Sequence, residues 1–107
     1  MESTQTPVVI LTTVPDRRTA VRIASELVED QLAACVKIVN DVSSVYQWQN
    51  EVVQDVEYQL MIKTLHAHVN DAYQLITEIH PYDVPEWVLL DATASEPYLN
   101  WMKDCLT

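Results

Sequence analysis

The residues best suited to chemistry gather in His80-Pro81-Tyr82-Asp83-Val84-Pro85-Glu86. An imidazole at position 80 with carboxylates at 83 and 86 could ligate a divalent cation, copper or zinc, because neutral imidazole suits both metals. The alternative reading is that His80 holds this loop by hydrogen bonds to backbone. His66 and His68 are two apart and would share one face of a strand, a chelating arrangement, or sit exposed at a strand's end. Lys63 could take a small anionic ligand at a cleft between subunits, or form an ion pair with Glu57 or with an acid of another chain. Tyr46, Trp48, Tyr82 and Trp101 could line such a cleft beside Lys63 and Glu57, or pack at an interface, where aromatic residues are enriched. Nothing comparable supports catalysis. Ser3, Ser25, Ser43, Ser44 and Ser95 lack a nucleophile-elbow context, and carboxylates alone do not make an acid–base pair. The expectation is a protein that is not an enzyme.

Composition narrows the partners. The chain has 107 residues, 6 Lys plus Arg, 16 Asp plus Glu and a formal net charge of −10. Phosphate backbones and anionic membrane surfaces both need clustered basic residues, so neither nucleic acid nor membrane is expected. Two cysteines, Cys35 and Cys105, make neither a disulfide framework nor a metal knuckle. Cys35, in an apolar run, reads as a small buried hydrophobe. The polar stretch 1–6 reads as a disordered tail before one domain over 7–107, and the expected location is the cytoplasm. Glycine is absent, which excludes glycine-built phosphate loops. Positions needing positive φ must fall to Asn or Asp, with Asn50 and Asn40–Asp41 the candidates.

The elements that must position these groups follow from periodicity. Pro7–Val14 is a near-continuous β-branched run that reads as a strand buried on both faces. Asp16 is a plausible N-cap for a helix whose stripe is Ala20, Ile23, Ala24, Leu27 and Val28. Ala34–Trp48 reads as a strand whose apolar parity switches near Asn40–Ser44, the signature of a bulge. Gln49-Asn50 is a turn. Glu51–Leu65 is a strand with Val56, Tyr58, Leu60 and Ile62 on one face and Glu57, Gln59 and Lys63 on the other. A helix over about 69–80 follows, then a loop stiffened by two prolines, a last core strand over 87–92 and a short helix over 97–106. The order β-α-β-β-α-β plus a C-terminal helix is an α+β, ferredoxin-like arrangement.

The central hairpin argues against a monomer. Arms of about 15 residues at about 3.3 Å per residue reach roughly 50 Å, whereas a domain of about 100 residues has a radius of gyration near 13 Å. The tip carries Val45, Tyr46, Trp48, Val52 and Val53. An overhanging apolar ribbon invites association, and pairing with identical copies closes it.

Five strings add a resemblance. They are Leu32-Ala33-Ala34-Cys35-Val36; Ser44-Val45-Tyr46-x-Trp48; Glu57-x-x-Leu60-x-Ile62-Lys63-Thr64; His80-Pro81-Tyr82-x-Val84-Pro85-Glu86; and Tyr98-Leu99-x-Trp101. In this order and spacing the chain resembles the CutA family of divalent-cation tolerance proteins, from Val9 to Trp101. The resemblance implies a ferredoxin-like subunit in a PII-like homotrimer joined through the extended strands. It also implies a role in divalent metal tolerance and metal binding, copper above all, and a cytoplasmic location in bacteria. A small-molecule sensor with an anionic ligand at the inter-subunit cleft, or a structural anchoring trimer, are the alternatives. The chain departs from the family at four places. Asn50 replaces the usual turn glycine, and Lys37 a smaller polar residue. Thr12 and Ile79 stand where the best-known bacterial copper arrangement has a Cys and the first of two adjacent His.

Overall fold

A computed structural model describes residues 5–106. Of the expected tail over 1–6, residues 1–4 lie outside the described residues. Thr6 is already tied to the sheet, its carbonyl accepting the His66 N–H at 3.0 Å.

The elements are β1 (Pro7–Val14), α1 (Arg17–Glu29), β2 (Cys35–Trp48), β3 (Glu51–Leu65), a 3-10 turn (His66–His68), α2 (Val69–Ile79), β4 (Val88–Asp91) and α3 (Glu96–Cys105). They form one antiparallel sheet of order β2-β3-β1-β4. The mixed α+β class and the element order are those expected from the sequence. Asp16 caps α1, accepting from the Thr19 N–H at 2.8 Å. That bond, charge-assisted at a helix N-terminus, lowers the Asp16 pKa. Ser95 caps α3 in the same way, with Pro97 in the first turn.

One sheet face meets α1 and α2. Val8, Ile10, Val14, Leu60 and Ile62 pack there with Ala20, Ile23, Leu27, Ala72 and Ile76, all buried. The opposite face is covered only at one end, where α3 brings Met102 and Leu106 onto Ala34 and Leu65. Register puts Val9, Leu11, Val39, Met61, Val88 and Leu90 on this second face. Val39, Val88 and Leu90 are exposed there.

Two expectations of burial are corrected. β1 is not buried on both faces, because α3 covers only one end of its second face and Val9 and Leu11 remain half-buried. Residues 87–92 do not form a core strand. β4 is the sheet's edge, four residues long, and Val88, Leu89 and Leu90 are all exposed.

The hairpin keeps its expected flaw. Val39 pairs with Gln59 and Val42 with Glu57, so Asn40 and Asp41 together oppose Tyr58. Asp41 takes φ 57° to make the bulge. β1 pairs with β3 only as far as Val14 opposite Tyr58, so Glu51–Glu57 has no strand partner but β2. The described residues extend 44 × 28 × 22 Å with a radius of gyration of 14.4 Å, the elongation that an overhanging ribbon produces. Gln49 and Asn50 both take positive φ, 51° and 66°, as a two-residue turn matched to strand twist requires. Among the described residues the other with positive φ is Gln31, just past α1. Thus Asn50 and Asp41 were legible, while Gln31 and Gln49 take the left-handed conformation against their residue type.

Candidate functional site

The site residues begin with His80, which ends α2 and starts the proline-flanked loop. It is buried. Its Nε2 donates to the Thr13 carbonyl at 2.7 Å, and its Nδ1 accepts the Tyr82 N–H at 3.2 Å. A neutral ring bonded at both nitrogens has no lone pair left for a metal. Burial lowers its pKa, against smaller opposing effects of the Thr13 bond and the Glu57 charge. The ring also packs on Tyr82, centroids 4.8 Å apart. His80 therefore pins the loop to the end of β1.

That pinning sets the next contact. Tyr82 Oη donates to Glu57 Oε2 at 2.8 Å. Burial first, then the bond to the Glu57 carboxylate, pushes the Tyr82 phenol far above its ordinary pKa. Glu57, placed by sequence on a polar strand face, is instead 6% exposed. The loop folds over that face and covers it. Glu86 reaches back to the same face, 3.3 Å from Gln59 Nε2, which also donates to the Thr12 carbonyl at 2.8 Å. On β2, Tyr46 donates its hydroxyl to Asp55 of β3, and this bond raises the Tyr46 pKa. Between hairpin and loop lies a cavity of about 760 Å³, walled by Tyr46, Trp48, Glu57, Tyr82, Asp83 and Glu86 among others.

Lys63 is elsewhere. Six residues from Glu57 along β3, it stands roughly 20 Å away at strand rise, so the expected Lys63–Glu57 ion pair does not form. Its Nζ lies 3.5 Å from Tyr98 Oη and 5.3 Å from that ring's centroid, and Tyr98 packs on Trp101 at 5.3 Å. Lys63 and Tyr98 line a second cavity of about 370 Å³ with Ser95. The six cleft residues read from sequence thus divide, within one chain, between two regions of the fold. Tyr46, Trp48, Glu57 and Tyr82 share the hairpin end. Lys63 and Trp101 belong to the α3 end.

The remaining candidates separate too. His66 is not in a strand but opens the 3-10 turn, with Nε2 2.9 Å from Asp91 Oδ1. His68 ends the same turn. Cys35 and Cys105 are free thiols, and Cys35 is half-buried rather than buried. Thr12 is fully buried, its Oγ1 without a hydrogen-bond partner.

These donors do not fit a resident copper ion. Thr12 offers a neutral hydroxyl, Ile79 no donor at all, and His80 no free nitrogen. Among the described residues no three His, Cys, Asp or Glu side chains converge on one point. Sequence reasoning missed Asp55 and Tyr98 as partners. Asp55 was within reach: a two-residue turn at 49–50 fixes the register that sets Asp55 opposite Ser44 and diagonal to Tyr46. Tyr98 depends on how α3 docks, which leaves no signal along the chain.

Residues 8–105 match the family described as CutA1 divalent ion tolerance protein. The chain belongs to the CutA family. A CutA divalent-cation tolerance protein of Thermus thermophilus is 43% identical over 97 residues, 90% of this chain and 94% of that protein. A chloroplastic CutA of Arabidopsis thaliana is 39% identical over 91% of this chain and 54% of its own length. Among solved structures, the CutA1 of Ehrlichia chaffeensis superposes with a TM-score of 0.90 at 33% identity, covering 98% of this chain and 99% of that one. The strings quoted from the sequence therefore marked a CutA chain correctly. No described helix is long and apolar enough to cross a membrane.

Proposed function

We propose that this CutA chain acts in tolerance of divalent metal ions, as a homotrimer in the cytoplasm and without catalysing a reaction. The observation that carries the reading is the near full-length match to divalent-cation tolerance proteins. The assembly is supported by the uncovered apolar face of Val9, Leu11, Val39, Met61, Val88 and Leu90, and by the hairpin beyond Tyr58. Both would expose apolar surface and free strand edges to water in a lone subunit.

Ligation of copper or zinc by His80 with Glu86 or Asp83 would require one of its two ring bonds to open, Nδ1 giving up the Tyr82 N–H or, in the other tautomer, Nε2 giving up the Thr13 carbonyl. With both bonds closed, tolerance rests on the assembled trimer rather than on a ligand set within one chain. Deleting the gene in its host is expected to sensitise growth to at least one of copper, zinc, cobalt or nickel salts, with rescue by the wild-type chain. Unchanged growth curves in all four salts would overturn the role.

A second reading rests on Lys63, which pairs with no carboxylate among the described residues and lines its own cavity. A small anionic metabolite would suit it. A thermal-shift screen with Lys63→Ala as control decides: an anion that stabilises both proteins equally does not bind there.

A further inference from the structure

One chain holds a buried carboxylate without a cation and a half-buried ammonium without an acid. Glu57 is 6% exposed, and its hydrogen-bonding partner is the Tyr82 hydroxyl on Oε2. The charged residues of its cavity, Glu57, Asp83 and Glu86, are all acidic. His80 is the nearby imidazole, and bonds at both ring nitrogens keep it neutral. On the same face of β3, Lys63 is half-buried. It meets the hydroxyl and ring of Tyr98, and among the described residues no carboxylate is within ion-pair distance of it. A buried charge without its counter-charge is costly.

A closed trimer brings each charge what its own chain lacks. In a threefold ring every interface is heterologous, so two different patches of the same chain meet. Both charges lie on the sheet's second face, which the assembly covers. Glu57 stands where the hairpin leaves the sheet, since β1 reaches only to Tyr58. Exposed aromatic rings mark both regions, Tyr46 and Trp48 beside Glu57 and Trp101 beside Tyr98 and Lys63, and interface cores favour such rings. The other cations fit less well. Arg17, Arg18 and Arg22 belong to α1, on the opposite face, and Arg22 already pairs with Glu26. Lys37 is exposed to water. Lys103 sits in the last turn of α3, where it complements the helix dipole.

We propose that Glu57 of one chain forms an ion pair with Lys63 of the partner subunit, and that Trp101 of the partner subunit packs on Tyr46 and Trp48. The pairing rests on the trimer reading and deepens it. Six residues that one chain keeps apart come together between two chains, three times around the ring. Lys63 then serves a carboxylate of the protein in place of the metabolite of the second reading.

A double-mutant cycle on the full chain tests the pair, with light scattering reporting the assembly and calorimetry the thermal midpoint. Glu57→Gln and Lys63→Met are each expected to lower the midpoint by about 5 °C or more, since each leaves a buried charge unpaired. The double substitution should lower it no further than the worse single one. Within one chain the two sites stand roughly 20 Å apart, too far to couple, so coupling reports contact between chains. Shifts that simply add in a folded trimer overturn the pair, leave the trimer standing and return Lys63 to the metabolite. A folded wild-type monomer removes the trimer reading and the pair with it. Should a single variant not fold, carbodiimide coupling of the wild-type trimer decides, because it joins only a carboxylate and an amine in direct contact. An amide between Glu57 and Lys63 that links two chains, read by peptide mass, supports the pair, and its absence overturns it.

Discussion

His80 commits both ring nitrogens to main-chain atoms, so its removal strands the Thr13 carbonyl and the Tyr82 N–H. His80→Ala is expected to lower unfolding free energy by about 2–4 kcal/mol, the combined cost of unpaired buried groups and a cavity. Chemical denaturation measures it. The same burial gives a pH dependence. The folded pKa of His80 lies below its ordinary value of 6.5, so the unfolded chain binds the proton more readily. Stability contributed by the neutral ring is therefore present above pH 6.5 and is lost as pH falls through the folded pKa. Denaturation midpoints between neutral pH and pH 5 should fall less steeply in His80→Gln than in the wild type, and equal slopes would exclude His80 as the cause. Thr12 offers the opposite case. Its buried hydroxyl has no partner, so Thr12→Val should leave stability unchanged or raise it by about 1 kcal/mol. A loss of that size would mean the hydroxyl is satisfied after all.

At the scale of elements, strain concentrates where the chain turns without glycine. Gln49 and Gln31 hold φ of 51° and 58°, a region that costs an ordinary side chain about 1 kcal/mol relative to glycine. Gln31 stands just past α1, where glycine is the common ending. Gln31→Gly and Gln49→Gly are each expected to raise the thermal midpoint, by a few degrees for about 0.5–1 kcal/mol in a domain of this size. Differential scanning calorimetry reads the change, and a drop in either would show that unfolded-state entropy outweighs the relieved strain. The bulge at Asn40–Asp41 belongs to this scale as well. It carries β2 across its parity switch, so that Ser44, Tyr46 and Trp48 come to lie on one face with Asp55 and Glu57.

For the whole molecule, the sheet's second face and the overhanging hairpin set the question of assembly. Val45 and Val52 at the tip are 67% and 77% exposed, and the bare face adds Val39, Val88 and Leu90. If sister chains cover these, light scattering on eluting protein gives close to three times the chain mass of 12.3 kDa. Val39→Asp then shifts the species toward monomer or prevents folding, because a buried unpaired carboxylate is far costlier than a valine. A wild-type chain eluting as a folded monomer at micromolar concentration would remove the trimer from the proposal.

The sequence by itself determined the element order, the bounds of β1 and β3, the N-cap at Asp16, the bulge and the family. These are written in local periodicity, capping chemistry and a two-residue turn, all of which act between near neighbours. It also singled out His80, with Asp83 or Glu86, as a possible ligand and Tyr82 as a cleft residue in the loop. What only the tertiary structure decided is which side chains meet. Glu57 and Lys63 share a strand face and looked like partners, yet the loop after α2 closes over Glu57 while α3 docks on Lys63. Those two docking events join segments 25 and 35 residues apart, and contacts at such separation leave no period in the chain that could announce them.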